Sequence, residues 1–304
     1  MKVVALAGGT GSAKLLRGLH RLPIDLTVVS NVGDNFWSYG VYVCPDVDIA
    51  MYTLAGIADA QKGWGIHGDT YHVLARLSRM GIETWFKLGD RDLAICLART
   101  ELMREGDTLT EAIEKARRSL GVGIPILPVT DDEIETRLDT TRGDMHLQEF
   151  WARYGGRPHV KDVWYKGARK ARLSRRVVSA ISSADRVVVC AANPVTSIGP
   201  MLALKELPWV LSRSNARVVA LSPMVGRAPF SGPAGKLLKA TGVRTDSVGV
   251  ALLYRRFLDA IAISESDSEM SGEIEALGID CLTTDTRLKR PEDALRLSKE
   301  VLRA

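Results

Sequence analysis

Short apolar runs alternate along the chain with stretches whose apolar residues recur every three or four positions. Val3–Ala7, Leu26–Ser30, Ile124–Val129, Arg186–Ala192, Val218–Ser222, Ala260–Ser264 and Ile279–Thr283 read as strands, and Val41–Val43 as a shorter one. After the first strand, Ala13, Leu15, Leu16 and Leu19 fall on one helical face. Ile49–Ile57 reads as a buried helix; Tyr71–Met80, Leu93–Arg104 and Val248–Phe257 read as further helices. Thr108 and Glu111 have the capping-box spacing and open a helix to about Leu120, with Gly121 at its end. Pro291, followed by Glu292 and Asp293, marks the start of the last helix. Asp267–Glu273 is polar and reads as an exposed connection.

Apolar strands alternating with helices predict an α/β fold with a doubly wound, mostly parallel, Rossmann-like sheet. From about 125 to 180 the pattern is irregular. The expected organisation is therefore one domain over residues 1–304 with an inserted subregion there. Pro223–Gly235 is rich in Gly and Pro, runs into Lys236, and is long for a plain connection, as a ligand loop would be.

The chain has 304 residues, 46% hydrophobic and 25% charged, which suits a globular enzyme with a sizeable core. No run of about 18 apolar residues and no signal-peptide pattern occurs, so a cytoplasmic location without membrane contact is expected. Cys44, Cys96, Cys190 and Cys281 are far apart and form no C-x-x-C pair, which argues against structural zinc and a disulfide framework. The net charge is +5, and basic residues cluster at Lys161–Arg176. Without a nucleic-acid motif, that cluster reads as a solvated face or a seat for a small anion.

The candidate chemistry gathers at strand ends. Gly8-Gly9-Thr10-Gly11-Ser12 joins the first strand to the first helix, where close backbone approach and unpaired N–H groups suit a phosphate. Asn31 and Asp34 follow the second strand. Asn193-Pro194-Val195-Thr196-Ser197-Ile198-Gly199 follows a later one and would face the glycine turn across a switch-point crevice. Asp46 and Asp48 follow Pro45; in extended geometry such a pair faces one side, as a divalent cation would need. Trp64 lies in a glycine-flanked loop, and Lys87 precedes a glycine among charges of both signs. His146 and Glu149 are spaced i, i+3 without a third ligand, which favours a packing histidine over a metal pair.

Taken together, GGTGSAKLLRGL, NVGDN, CPDVDIAMYTLAG, KGWGI, KLGDRD, LPVTDD, HLQEFW, NPVTSIGP and LSPMVGRAPFSGPAGKLL run in order from Gly8 to Leu238. This ordered set resembles the CofD family, the 2-phospho-L-lactate transferases of coenzyme F420 biosynthesis. The resemblance implies a guanosine diphosphate-linked donor of a phosphorylated three-carbon acid, lactate or an analogue such as enolpyruvate. It implies the deazaflavin Fo as acceptor, GMP as leaving group, magnesium as cofactor and a homodimer. It maps the deazaflavin contacts to Asp48 and Lys87, with Trp64 a stacking platform. The nucleotide would sit between Gly8, Gly9, Thr10, Gly11 and Asn31 on one side and Asn193, Ser197 and Gly199 on the other. Asp34 and Asp48 become the expected catalytic and metal-binding pair, with Asp46 in reserve. A rival resemblance, to nucleotide-sugar-binding regulators of the gluconeogenesis-factor group, shares the glycine-rich start but does not explain PDVD and KLGDRD. A dinucleotide-dependent oxidoreductase is disfavoured by the absence of G-x-G-x-x-G spacing.

Overall fold

The computed structural model describes residues 1–226, 228–229 and 234–304. Seven parallel strands form the central sheet: β1 (Lys2–Ala7), β2 (Asp25–Ser30), β3 (Ile126–Pro128), β4 (Arg186–Val189), β5 (Arg217–Leu221), β6 (Ala260–Ser264) and β7 (Asp280–Thr284). Their spatial order is β7-β6-β5-β4-β1-β2-β3, with every pairing parallel. This is the doubly wound fold, and its strand order reverses between β1 and β4. The strands are apolar because helices cover both faces; in β1 every residue after Lys2 is buried.

Helix α1 (Gly9–Leu19) lays Leu15, Leu16 and Leu19 on the core, each fully buried. Burial of each such side chain stabilises the fold by about 1.5–3 kcal/mol. Helices α2 (Pro45–Leu54), α3 (His72–Arg79), α4 (Asp90–Arg104) and α5 (Leu109–Ser119) follow, and α6 (Pro291–Arg303) closes the chain against α1. The capping box of Thr108 and Glu111 opens α5. Between β3 and β4 the chain builds an antiparallel sheet of Glu135–Thr140, Gly143–His146 and Val160–Lys166, with the wide-turned helix Glu149–Arg153 inside it and an α-helix, Arg175–Ser182, after it.

Several boundaries differ from the sequence pattern. Strand β4 ends at Val189 because the chain turns at once, Ala192 N–H donating to the Cys190 carbonyl at 2.6 Å. Val41–Val43 pairs antiparallel with Phe36–Ser38 in a small hairpin outside the main sheet. Glu265–Met270 and Ser271–Glu275 are helical, not an open connection. There Asp267 is buried and both its oxygens accept the Gly226 N–H, at 2.7 and 2.9 Å. Of the Gly/Pro-rich stretch, Arg227, Phe230, Ser231, Gly232 and Pro233 lie outside the described residues. The basic run 161–176 is tied down by acids, with Lys166 on Glu135 at 2.8 Å and Arg172 on Glu206 at 2.7 Å.

Candidate active site

The carboxyl ends of β1, β2 and β4 meet at the switch point. There the Gly8–Gly9 turn lies directly against the Ser197 loop: a Cβ on Gly8 would stand 2.6 Å from Ser197 Cβ and 2.7 Å from Asp46 Oδ2. Only glycine permits this approach. Ser12 closes the turn, its hydroxyl accepting the Gly8 N–H at 2.9 Å and donating to the Gly8 carbonyl at 2.8 Å. Gly9, at φ +66°, turns its N–H to Asp46. The anion at the start of α1 is thus the Asp46 carboxylate, where the sequence led us to expect a bare phosphate seat.

Gly11 has a packing role. A Cβ there would lie 2.0 Å from the Ala191 carbonyl oxygen, on the β4 side and not in the crevice. Gly11→Ala is therefore expected to lower the thermal midpoint markedly, not to block a ligand selectively. An unchanged melting curve would contradict this. Gly199 is fixed in the same way, since its Cβ would meet the Tyr165 hydroxyl at 2.1 Å. Tyr165, on the inserted sheet, donates to the Val195 carbonyl at 2.6 Å. Asn193 shapes the loop by accepting from Val195 and Thr196 N–H at 2.9 and 3.3 Å. Thr10 remains at the rim, close to the position a side chain on Gly63 would take.

Asn31 was expected to touch nucleotide. It is fully buried, and its side chain is spent inside the protein. Its Nδ2 donates to Asp34 Oδ1 at 2.8 Å, Asp46 Oδ2 at 2.9 Å and the Thr196 carbonyl at 3.3 Å. Its Oδ1 accepts the Gly33 N–H at 2.8 Å. One amide thereby joins the β2 end, α2 and the Ser197 loop.

Asp46 and Asp48 do not face the same side. The helix begins at Pro45, and residues two apart on a helix point away from each other. Asp46 turns to Asp34, and Asp48 turns to α4. Asp34 and Asp46 are both buried, and both accept from the Asn31 amide. Desolvation chiefly, then the neighbouring Asp46 charge, holds the Asp34 carboxyl well above the usual carboxylate range. Burial pushes Asp46 up to about 6, against the pull of Asn31 and the Gly9 N–H. No basic side chain among the described residues pairs with either.

Asp48 has a dedicated cation. Arg99, fully buried, donates from Nη1 to Oδ1 at 2.6 Å and from Nη2 to Oδ2 at 2.9 Å. The guanidinium also holds the Tyr42 carbonyl at 3.2 and 3.1 Å. Asp92 stands nearby, accepting from the Tyr52 hydroxyl at 2.6 Å. Burial and the Asp48 charge push it up to about 7. Asp48, Asp92 and Cys96 each offer one ligand atom, all within 4.8 Å of one another, so this group has the closeness of a metal site.

Beside the crevice, Lys62, Trp64, Tyr71, Leu74, Ala75, Ser78, Thr84 and Lys87 line a cavity of about 530 Å³. Its walls are set by two helices that cap each other. Asp90, at the start of α4, accepts from His72 and Val73 N–H at 2.9 and 3.0 Å at the start of α3. Asp69, just before α3, accepts from Arg91 and Asp92 N–H at 3.0 and 3.1 Å at the start of α4. These exchanges satisfy orphan N–H groups at both helix starts and place Tyr71 and Lys87 on one cavity. Sequence reading missed Asp69; its only signal was the acid lying two residues before Tyr71. The Lys62 ammonium lies 5.6 Å from the Trp64 ring centre and 5.5 Å from that of Tyr71. A second cavity, about 470 Å³, lies at the amino ends of β5 and β6, on the opposite edge of the sheet. His146 is a half-buried packing histidine: its Nδ1 accepts the Gln148 N–H at 3.1 Å, and desolvation pushes it down to about 4.

A site of paired acids at the switch point of a doubly wound sheet belongs to a phosphate-handling enzyme in its general chemistry. The family model described as 2-phospho-L-lactate transferase CofD matches residues 3–291. A 2-phospho-L-lactate transferase of Methanopyrus kandleri is 40% identical, covering 100% of this chain and 97% of that protein. One of Methanosarcina acetivorans is 39% identical over 99% of this chain and 98% of its own length. A phosphoenolpyruvate transferase of Streptomyces coelicolor is 35% identical over the full length of both. The chain belongs to the CofD family and is an enzyme of the 2-phospho-L-lactate transferase kind. Among solved structures, protein BH3568 of Bacillus halodurans superposes with a TM-score of 0.65 at 19% identity, covering 99% of each chain. That likeness establishes the fold alone. No helix among the described residues is long and apolar enough to cross a membrane.

Proposed function

We propose that the enzyme transfers a phosphorylated three-carbon acid from a guanosine diphosphate-linked donor to the terminal ribityl hydroxyl of the deazaflavin Fo. A new P–O bond forms from the Fo hydroxyl, and the bond joining that phosphorus to the GMP phosphate breaks. The hydroxyl proton leaves, and GMP departs. 2-Phospho-L-lactate is the proposed acid, after the relatives of that name; the Streptomyces coelicolor relative makes phosphoenolpyruvate the analogue to test beside it.

The observation that carries this reading is the Asp34–Asp46 pair, two buried carboxylates with no basic partner among the described residues, joined by Asn31 at the switch point. Two hard oxygen donors with raised proton affinity fit magnesium. Asp48, Asp92 and Cys96 fit it less well, because Arg99 already neutralises Asp48 and a thiol is a soft ligand. We therefore assign the magnesium to Asp34 and Asp46, bringing Asp46 forward from reserve. Magnesium bound there would neutralise the donor's diphosphate. The loops of Gly9–Thr10 and Ser197 frame the donor side. Asp48, held in place by Arg99, and Lys87, on the cavity rim, are the proposed Fo contacts, with Trp64 the platform for its ring. Holding hydroxyl and phosphorus in line supplies much of the remaining acceleration. The proposal extends to one domain with the antiparallel sheet as its insertion, a cytoplasmic location and a homodimer.

Titration with Fo, followed by its fluorescence, tests the acceptor assignment. Binding is expected for the wild type, with Trp64→Ala weakened about tenfold by loss of ring stacking. Absence of Fo binding by the wild type, with nucleotide-sugar binding instead, would favour the gluconeogenesis-factor reading.

A further inference from the structure

Asp34 is gripped from two directions. Asn31, at the end of β2, donates to Oδ1 at 2.8 Å; Gln148, in the inserted segment, donates from Nε2 to Oδ2 at 3.0 Å. Gln148 is itself buried, and its backbone N–H is tied to His146 Nδ1 at 3.1 Å. His146 packs its ring 5.4 Å from that of Phe36, two residues beyond Asp34. The Gly33 carbonyl accepts the Thr136 N–H at 2.5 Å, so the same insertion also holds the backbone of the Asp34 turn. No cation contributes to this grip, which is built of neutral amides.

We propose that Gln148 is a positioning residue: it fixes the orientation of the Asp34 carboxylate so that this residue and Asp46 bind a divalent cation together. The inference rests on the assignment of the cation to Asp34 and Asp46. A carboxylate free to rotate must be ordered when the ion arrives, whereas this one is ordered beforehand. Partners that orient a metal-binding carboxylate in this way are typically worth 10–100-fold in metal affinity. The neutral amide suits the task because it donates to one oxygen and brings no charge to compete with the ion. It also gives the inserted sheet a role in the chemistry, since Gln148 reaches the switch point from 114 positions along the chain.

The test is Mn²⁺ binding, followed by the loss of the free-ion electron paramagnetic resonance signal, on the full-length protein without substrates. Gln148→Met keeps the length and removes the amide; Gln148→Asn keeps the amide and draws it back. Asp34→Asn serves as the reference. Thermal melting of each variant without metal checks folding. Asp34→Asn should abolish the binding site. Gln148→Met should weaken Mn²⁺ at least tenfold while melting near the wild type, and Gln148→Asn should weaken it as well, by a smaller factor. If Asp34→Asn loses binding and both folded Gln148 variants bind as tightly as the wild type, the positioning role is overturned and the cation site stands. If Asp34→Asn binds Mn²⁺ like the wild type, the cation assignment fails and the inference fails with it. Should Gln148→Met not fold, Gln148→Asn alone decides.

Discussion

Asp46→Asn is expected to lower the transfer rate by a factor on the order of 10³ while making the metal-free protein more stable. The two effects have one cause. In the metal-free fold, burial raises Asp46 from its ordinary value to about 6, and Asp34 beside it is also held well above the usual carboxylate range. Between the two values the folded state binds more protons than the unfolded chain, so stability falls as pH rises from about 4 to about 6. Above that range the folded protein carries a buried charge that favours unfolding. An amide has no such charge, so the variant should gain about 1–3 kcal/mol at pH 7.5. The amide also offers the cation no negative charge, and loss of that neutralisation at the diphosphate removes several kcal/mol of transition-state stabilisation. Thermal melting and steady-state kinetics on one preparation check both halves. In the wild type, magnesium should stabilise more at pH 7.5 than at pH 5, where the pair holds protons. Equal magnesium shifts at the two pH values would contradict the assignment of the ion to this pair.

Arg99→Ala is expected to be among the most destabilising substitutions in the chain. Arg99 is fully buried, and its guanidinium makes two hydrogen bonds to Asp48 and two to the Tyr42 carbonyl. Removing it leaves the Asp48 carboxylate, itself buried, with no cationic partner among the described residues. Breaking a buried pair from one side costs about 3–5 kcal/mol. For a chain of this length that corresponds to a fall of about 5–8 °C in the melting midpoint. The double variant Arg99→Met with Asp48→Leu removes both charges and should recover much of the loss. A single variant as stable as wild type would mean that the pair is solvated in solution. Activity is expected to fall in the double variant as well, because Asp48 is lost from the proposed acceptor contacts.

Much of the fold was legible from the periodicity. The parallel strands are buried on both faces and therefore read as continuous apolar runs, and α1 and α5 show their faces and caps directly. That the glycine turn and the Ser197 loop would be neighbours followed from strand ends and the switch-point rule, although the two touch directly at Gly8 and leave no crevice there. What the sequence concealed were pairings set by geometry across long separations. Asp46 and Asp48 looked like partners because they are neighbours, yet a helix starting one residue earlier sends one to Asp34 and the other to Arg99. Arg99 lay unnoticed in a helix whose charges suggested solvent, since nothing local marks an arginine that will be buried. Asp69 and Gln148 were equally silent: they act on backbone or side-chain groups 22 to 114 positions away. Asp267 read as exposed because its partner, the Gly226 N–H, is 41 positions distant.

The proposed reaction moves a phosphorylated three-carbon acid from a guanylated donor onto Fo with the help of magnesium. The most direct measurement incubates purified protein with Fo and each guanylated donor in turn, lactyl, enolpyruvyl and glyceryl, with magnesium or with a chelator in excess. GMP and the deazaflavin product are then quantified by chromatography. GMP and phosphodiester product are expected in equal amounts with at least one donor, and neither in the presence of chelator. Fo left unchanged with all three donors and magnesium present would contradict the proposed reaction.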